Sequence, residues 1–260
     1  MTGYKSVAAC DILLHAGDLS QFGTFAEIQA QLSWLAAQPH PHKVVIAGNH
    51  DLLLDSVFVS TNPDRELDRH PGQRRNDLDW GGVQYLERGS LDIAVEGKNR
   101  SIRVFGSPWT PRCGNWAFQY GKGDGDRETL GTAPADTDVM LMHGPPKGHL
   151  DDGGKGCGRL LAEVWRVRPK VVVCGHIHAG RGEEWLRFDH VDSWYENVML
   201  GRRRWVSVLC LVLCHVWLRV TRTWGVAPSQ EQTRGTRLIN AAMVGGRGNV
   251  DHREAFVAAI

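Results

Sequence analysis

The chain lacks a charge of either sign to speak of: 30 Lys and Arg stand against 29 Asp and Glu, a formal net charge of +1. No global field draws a polyanion, so nucleic acid is not indicated as a partner and any anion has to be gripped locally. Paired cysteines are also missing. Cys10, Cys113, Cys157, Cys174, Cys210 and Cys214 lie scattered without a CxxC pair, which argues against a short disulfide scaffold. No charged start followed by an apolar core opens the sequence, and the expected compartment is the reducing cytoplasm. Repeats are absent as well, and long apolar runs are confined to one stretch, Trp205 to Leu218. What remains is a chain of 260 residues, 42% hydrophobic and 23% charged, enough to build the core of one large globular domain. Histidine is the surplus residue, with twelve copies, several directly after apolar runs.

Short β-rich runs alternate with helical segments and polar loops, the pattern of an α/β layered domain. Asp11–His15, Lys43–Ala47, Ser101–Phe105, Asp138–Met142 and Lys170–Cys174 are compact and apolar, as strands buried on both faces are. Thr24 and Glu27 have capping-box spacing, and Phe25, Ile28, Leu32 and Leu35 then fall on one helical stripe that ends before Pro39. A second helix is expected over Cys157–Val167, stopped by Pro169. Residues 60–82 read as a surface insertion, and Pro108–Pro134 as a loop. The apolar stretch Trp205–Leu218 would extend only about 21 Å as a helix, short of the roughly 30 Å hydrocarbon core. Arg202, Arg203, Arg204, Arg219 and Arg222 flank it, so it either covers an apolar face or makes peripheral membrane contact. The expected divisions are a catalytic-type domain over 1–200, an apolar Arg-flanked helical segment over 201–225, and C-terminal strands over 226–260. Those strands are placed near Arg237–Ala242 and Ala255–Ile260.

Four of the apolar runs deliver metal-competent or proton-carrying groups just past their C-terminal ends, where open α/β sheets place ligand sites. His15-Ala16-Gly17-Asp18 offers a carboxylate after a glycine turn. Gly48-Asn49-His50-Asp51 offers an amide oxygen, an imidazole and a carboxylate in succession, and Met142-His143-Gly144 and Gly175-His176-Ile177-His178 follow. Imidazole nitrogens suit Zn, Mn or Fe, and carboxylate or amide oxygens complete a mixed set. Any one of these pieces is weak evidence, because Gly-Asp is a common turn pair and most histidines are surface or core residues.

Taken in order, Gly17-Asp18, Gly48-Asn49-His50-Asp51, His143 and Gly175-His176-Ile177-His178 resemble the calcineurin-like metallophosphoesterase superfamily. Asp11–Asp18, Gly106-Ser107-Pro108-Trp109-Thr110-Pro111 and His143-Gly144-Pro145-Pro146 are similar to the subgroup called metallophosphoesterase domain-containing proteins. The resemblance covers about residues 10–195 and resumes at Leu238–Ala242. It implies a layered β-sandwich flanked by helices and one or two divalent ions (Mn, Fe, Zn or Ni). It also implies hydrolysis of a phosphodiester, with a cyclic nucleotide as one candidate, by metal-activated water. Asp18 would bridge two ions, Asn49, His143 and His176 would hold the second, and His178 would reach the first. His50 would protonate or stabilise the leaving oxygen. Asp51 would orient His50 or close the turn, and Trp109 and Trp116 would wall the pocket.

One piece is missing. Superfamily members open with a strand ending in Asp-x-His, and nothing of that form precedes Asp18; Asp68-Arg69-His70 lies in the polar insertion without an apolar run before it. His15 is no substitute, since strand alternation points it away from the face of Asp18. The sandwich is therefore expected to lack its first strand, and the first ion keeps only Asp18 and His178. A phosphoesterase of reduced activity follows, with a non-catalytic metal- or nucleotide-binding protein and a membrane-associated scaffold as the alternatives.

Overall fold

The computed structural model describes residues 8–95, 100–121, 132–223, 235–245 and 251–260. Its strands are β1 (Ile12–His15), β2 (His42–Val45), β3 (Gln84–Tyr85), β4 (Gly89–Ala94), β5 (Ser101–Ser107), β6 (Thr110–Pro111), β7 (Gln119–Tyr120), β8 (Val139–Met142), β9 (Val171–Cys174), β10 (Gly182–Leu186), β11 (Thr236–Asn240), β12 (Val244–Gly245) and β13 (Asp251–His252). Its α-helices are α1 (Phe25–Ala36), α2 (Ser56–Thr61), α3 (Gly158–Val167), α4 (His190–Met199) and α5 (Arg204–Thr223). Two sheets form the centre, one in the order β1-β2-β3 and one in the order β10-β11-β9-β8-β5-β4.

The apolar runs explain the layering. Successive side chains of a strand point to opposite faces, so a run that is apolar throughout needs cover on both sides. Val45 and Ala47 turn toward Ile28, Leu32 and Leu35 of α1. Val44 and Ile46 turn between the sheets, where they join Val104, Val139, Leu141, Val171, Val173 and Ile239. On the far side, Met140, Met142, Val172 and Cys174 meet Leu160, Val164 and Val167 of α3. The result is helix, sheet, sheet, helix: the flanked β-sandwich that the sequence pattern implies.

Local signals fix the helix ends. The Thr24 hydroxyl accepts from the Glu27 backbone N–H, and the Glu27 carboxylate accepts from that of Thr24 at 3.1 Å, the expected capping box. α3 starts on an unusual cap: the Cys157 sulfur accepts from the Leu160 N–H at 3.2 Å. It stops at Arg168, whose φ of 52° is left-handed, just before Pro169.

Two expectations need correction. Ala255–Ile260 is not a strand. Phe256 and Ala258 do pack on the inter-sheet core, but the segment before them is tied by Arg181, which donates to the Ala242 carbonyl at 2.8 Å and the Glu254 carbonyl at 2.5 Å. The guanidinium of Arg181 also sits 4.4 Å from the Phe256 ring centre, so a side chain holds this tail where a backbone ladder was expected. The apolar segment is the second correction. It does form a helix, but the helix takes in the flanking residues and runs for 20, about 30 Å at 1.5 Å per residue, so the length argument against a span does not hold. Among the described residues no strand pairs with the outer edge of β1, whose four residues are all only half-buried.

His149 locks the α4 side of the domain. Its Nδ1 lies 2.5 Å from a Glu184 carboxylate oxygen on β10, and its Nε2 lies 3.5 Å from Glu196 on α4. Burial disfavours the charged ring, but the hydrogen bond to Glu184 and the nearby Glu196 carboxylate outweigh it and raise its pKa to about 9. The folded value exceeds the ordinary 6.5, so the clamp contributes fully below pH 6.5 and its contribution is lost as pH rises through about 9. His149→Gln should therefore cost about 2 kcal/mol in urea unfolding at neutral pH, with the gap closing above the folded pKa. Parallel stability curves for the two proteins across that window would refute the clamp.

Candidate metal centre

The ends of four parallel strands meet in one place. Asp18 follows β1, Asn49 and His50 follow β2, His143 follows β8 and His176 follows β9. Asp18, His143 and His176 each offer a ligand atom, and these atoms lie within 4.8 Å of one another. Asn49 joins them, its Oδ1 standing 3.0 Å from His143 Nε2. Four of the five residues expected to bind metal are thus brought together. His178 is close enough for its charge to act on His176, yet it stands outside the converged group, on a short 3-10 turn spanning His178–Gly180.

The histidine tautomer decides what the cluster can hold. His143 Nδ1 lies 2.7 Å from the Ala16 carbonyl oxygen, which can only accept, so Nδ1 carries the proton. In the neutral ring Nε2 then presents a lone pair, and it faces Asn49 Oδ1 at 3.0 Å and Asp18 Oδ1 at 3.4 Å. Three electron-rich atoms pointing at one another repel unless a proton on Nε2 or a metal cation lies among them. A backbone carbonyl that orients a histidine by its other nitrogen is the usual support of a metal ligand. The donor set, two imidazoles with a carboxylate and an amide oxygen, fits a divalent ion of the Mn, Fe, Zn or Ni group.

Protonation agrees with that fit. Burial first, and His143 next, lower the pKa of His176 to about 3, leaving a neutral ring able to ligate. Burial alone would raise Asp18, but the imidazoles of His143 and His50 and the His50 backbone N–H, 3.1 Å away, hold it below the usual carboxylate range. Burial lowers His15 to about 4, and its Nδ1 is enclosed without a hydrogen-bond partner; it lies outside the converged group, as strand alternation suggested.

The backbone is bent to make the site. Asp18 and His176 both adopt left-handed φ, 56° and 63°, which is costly for residues with a Cβ and is characteristic of functional turns. Gly48 has no room for a side chain: a Cβ there would lie 2.2 Å from Asp18 Oδ1 and 2.5 Å from His143 Cε1. Asp51, fully buried, ties the two loops together. Its carboxylate accepts from the backbone N–H of Gly48 at 2.7 Å, Ser20 at 2.9 Å and Leu19 at 3.1 Å, and from the Ser20 hydroxyl at 2.8 Å. Of the two roles expected of Asp51, closing the turn is the one these contacts describe. Burial and the charge of Asp18 raise its pKa to about 6 in spite of those bonds.

His50 stands beside the cluster. Its Nδ1 is 2.8 Å from the Gln21 carbonyl oxygen and its ring is 4.3 Å from that of Trp116. Trp109 is placed differently: it packs edge-on against Phe118 at 5.7 Å and carries Arg88 at 5.6 Å over its ring, so it caps the core. A groove of about 480 Å³ reaches Asp18, His176 and His178 from the free edge of β1, and residues 255–260 form part of its wall. Asp68, Arg69 and His70 are exposed and take no part.

The sequence pattern of the calcineurin-like phosphoesterase family matches residues 4–180. The chain belongs to that family. Metallophosphoesterase domain-containing protein 1 of Homo sapiens is 34% identical over 180 residues, covering 66% of this chain and 55% of that protein. The UPF0046 protein T07D4.2 of Caenorhabditis elegans is 33% identical over 192 residues, 66% of this chain and 47% of that one. A protein of Emericella nidulans named probable rhamnogalacturonate lyase C is 42% identical over 248 residues, 95% of this chain but 22% of the fungal protein. The chain spans less than two thirds of the length of these curated relatives. The family is one of metal-dependent phosphoester hydrolases, and the converged donor set is consistent with that class.

Asp51→Ala should lower stability by about 2–4 kcal/mol, because it strands three buried backbone N–H groups. Metal content after dialysis against Mn2+ should fall with it. An unchanged unfolding midpoint together with full metal content would show that the loops do not need this carboxylate.

Proposed function

We propose that the chain hydrolyses a phosphodiester, a cyclic nucleotide being one substrate of that shape, on a single well-formed divalent-ion site and hence at a reduced rate. The observation that carries the reading is the convergence of His143 Nε2 with Asp18 and Asn49 oxygens, an arrangement suited to a cation. Asp18, Asn49, His143 and His176 would hold the ion. A bound divalent ion supplies charge neutralisation at the phosphoryl oxygens and a more acidic water.

The remaining chemistry belongs to the chain. The His50 Nδ1–H donates to the Gln21 carbonyl, so Nε2 is the other nitrogen, and a ring protonated on both would hand its Nε2 proton to the departing oxygen. Trp116 packs against one face of the His50 ring and restrains its tilt. Asp51 fixes the turn that carries Asn49 and His50, which keeps ligand and proton donor in register.

Turnover of bis-p-nitrophenyl phosphate with added Mn2+ should be measurable. His50→Ala should slow it by roughly 10²–10⁴-fold and leave the bound metal unchanged. His176→Ala should abolish turnover by loss of metal. A preparation that binds Mn2+ and nucleotide tightly but shows no turnover above the His50→Ala background would favour the non-catalytic binding protein. p-Nitrophenyl phosphate and 3′,5′-cyclic nucleotides as parallel substrates separate monoester from diester and cyclic ester.

A further inference from the structure

α5 is apolar over most of its circumference but covered on one side only. Ser207, Cys210, Leu211, Cys214 and Leu218 recur at helical spacing and are the better-buried residues of the helix. They form the stripe that packs beside α4. The opposite side is bare: Trp205, Leu209, Val212, Leu213, Val216 and Trp217 are between 53% and 85% exposed. A bare patch of this kind on a folded domain marks a contact surface.

Charge says what kind of surface. From Asn197 to Gln230 the chain has no Asp or Glu, yet it has Arg202, Arg203, Arg204, Arg219 and Arg222. At 100° per residue, Arg204, His215 and Arg219 fall within about 60° of one another, along one border between the covered stripe and the bare face. Trp205 and Trp217 stand near the two ends of the apolar face, about 18 Å apart along the axis. Apolar face, basic border and terminal tryptophans together match the headgroup boundary of an anionic bilayer. A second copy of the chain would bring the same arginines and no compensating acid.

We propose that α5 docks the domain in the plane of an anionic lipid surface, with the bare face in the acyl boundary and the arginines among the headgroups. By length and composition Arg204–Thr221 is also apolar enough to cross a membrane. Packing beside α4 favours lying flat, because a crossing would strip the covered stripe from the domain. The negatively charged leaflet facing the cytoplasm is a surface of the required kind.

Flotation of the full chain with phosphatidylcholine vesicles, with and without phosphatidylserine, tests this directly. Wild type should float at least about tenfold better with phosphatidylserine and less well as salt rises. Leu209→Asp with Leu213→Asp on the bare face should lose flotation while keeping its circular dichroism and metal content. A second readout needs no disruptive change: brominated acyl chains should quench wild-type tryptophan fluorescence, and Trp205→Phe with Trp217→Phe should remove most of that quenching. Wild type that stays unbound with anionic vesicles overturns the proposal. So does a lipid-free dimer that the Leu213→Asp change converts to monomer, since the bare face would then belong to a second copy.

Discussion

The hydrogen bond from His143 to the Ala16 carbonyl is the constraint from which the centre follows. It fixes which ring nitrogen bears the proton, and so turns a lone pair toward Asn49 and Asp18. The geometry is strained as an assembly of acceptors and sound as a cation cradle. Its supports are arranged accordingly: left-handed turns at Asp18 and His176, a glycine at 48 where any Cβ would strike Asp18 and His143, and a buried carboxylate at Asp51 joining the two loops. Such strain persists only where surrounding structure over-determines it. Here the surrounding structure is the pair of sheets, whose parallel strands β1, β2, β8 and β9 all deliver their C-terminal ends to the same place.

Much of this was legible before any coordinates. Strands apolar on both faces can be read from composition alone, because a parallel strand under helices has no polar side to show. The residues just beyond their ends carried the ligand set, and Asp18, Asn49, His143 and His176 do converge. The elements that escaped notice have weaker signatures. β4 and β10 are edge strands with alternating exposure, and their Ser90, Asp92, Glu183 and Glu184 resemble loop residues. The Cys157 cap was invisible because sulfur is not a usual capping atom. The sequence allows Asp51 two roles, and only the distances to Gly48, Leu19 and Ser20 separate them. The tail at 255–260 has the alternation of a strand, Phe256 and Ala258 in, Val257 out, but alternation reports facing and not pairing.

That tail and the outer edge of β1 belong to one problem. β1 carries Ile12 and Leu14 toward the inter-sheet core, yet its residues remain half-buried, and no described strand lies beyond it. A half-buried edge of this sort leaves its apolar side chains short of cover among the described residues. Phe256 and Ala258 shield part of the same core, and Arg181 holds their approach through two carbonyls and the Phe256 ring. Side-chain cover of this kind dries the apolar surface. The groove it leaves runs down to Asp18, His176 and His178. The stability of β1 and the access of solvent to the metal ligands are therefore coupled: the strand that positions Asp18 is only half-buried along its whole length. Anything that tightened the cover of this edge would dry the approach to Asp18 and hold its turn more firmly, so the affinity of the centre depends on packing well outside its ligands.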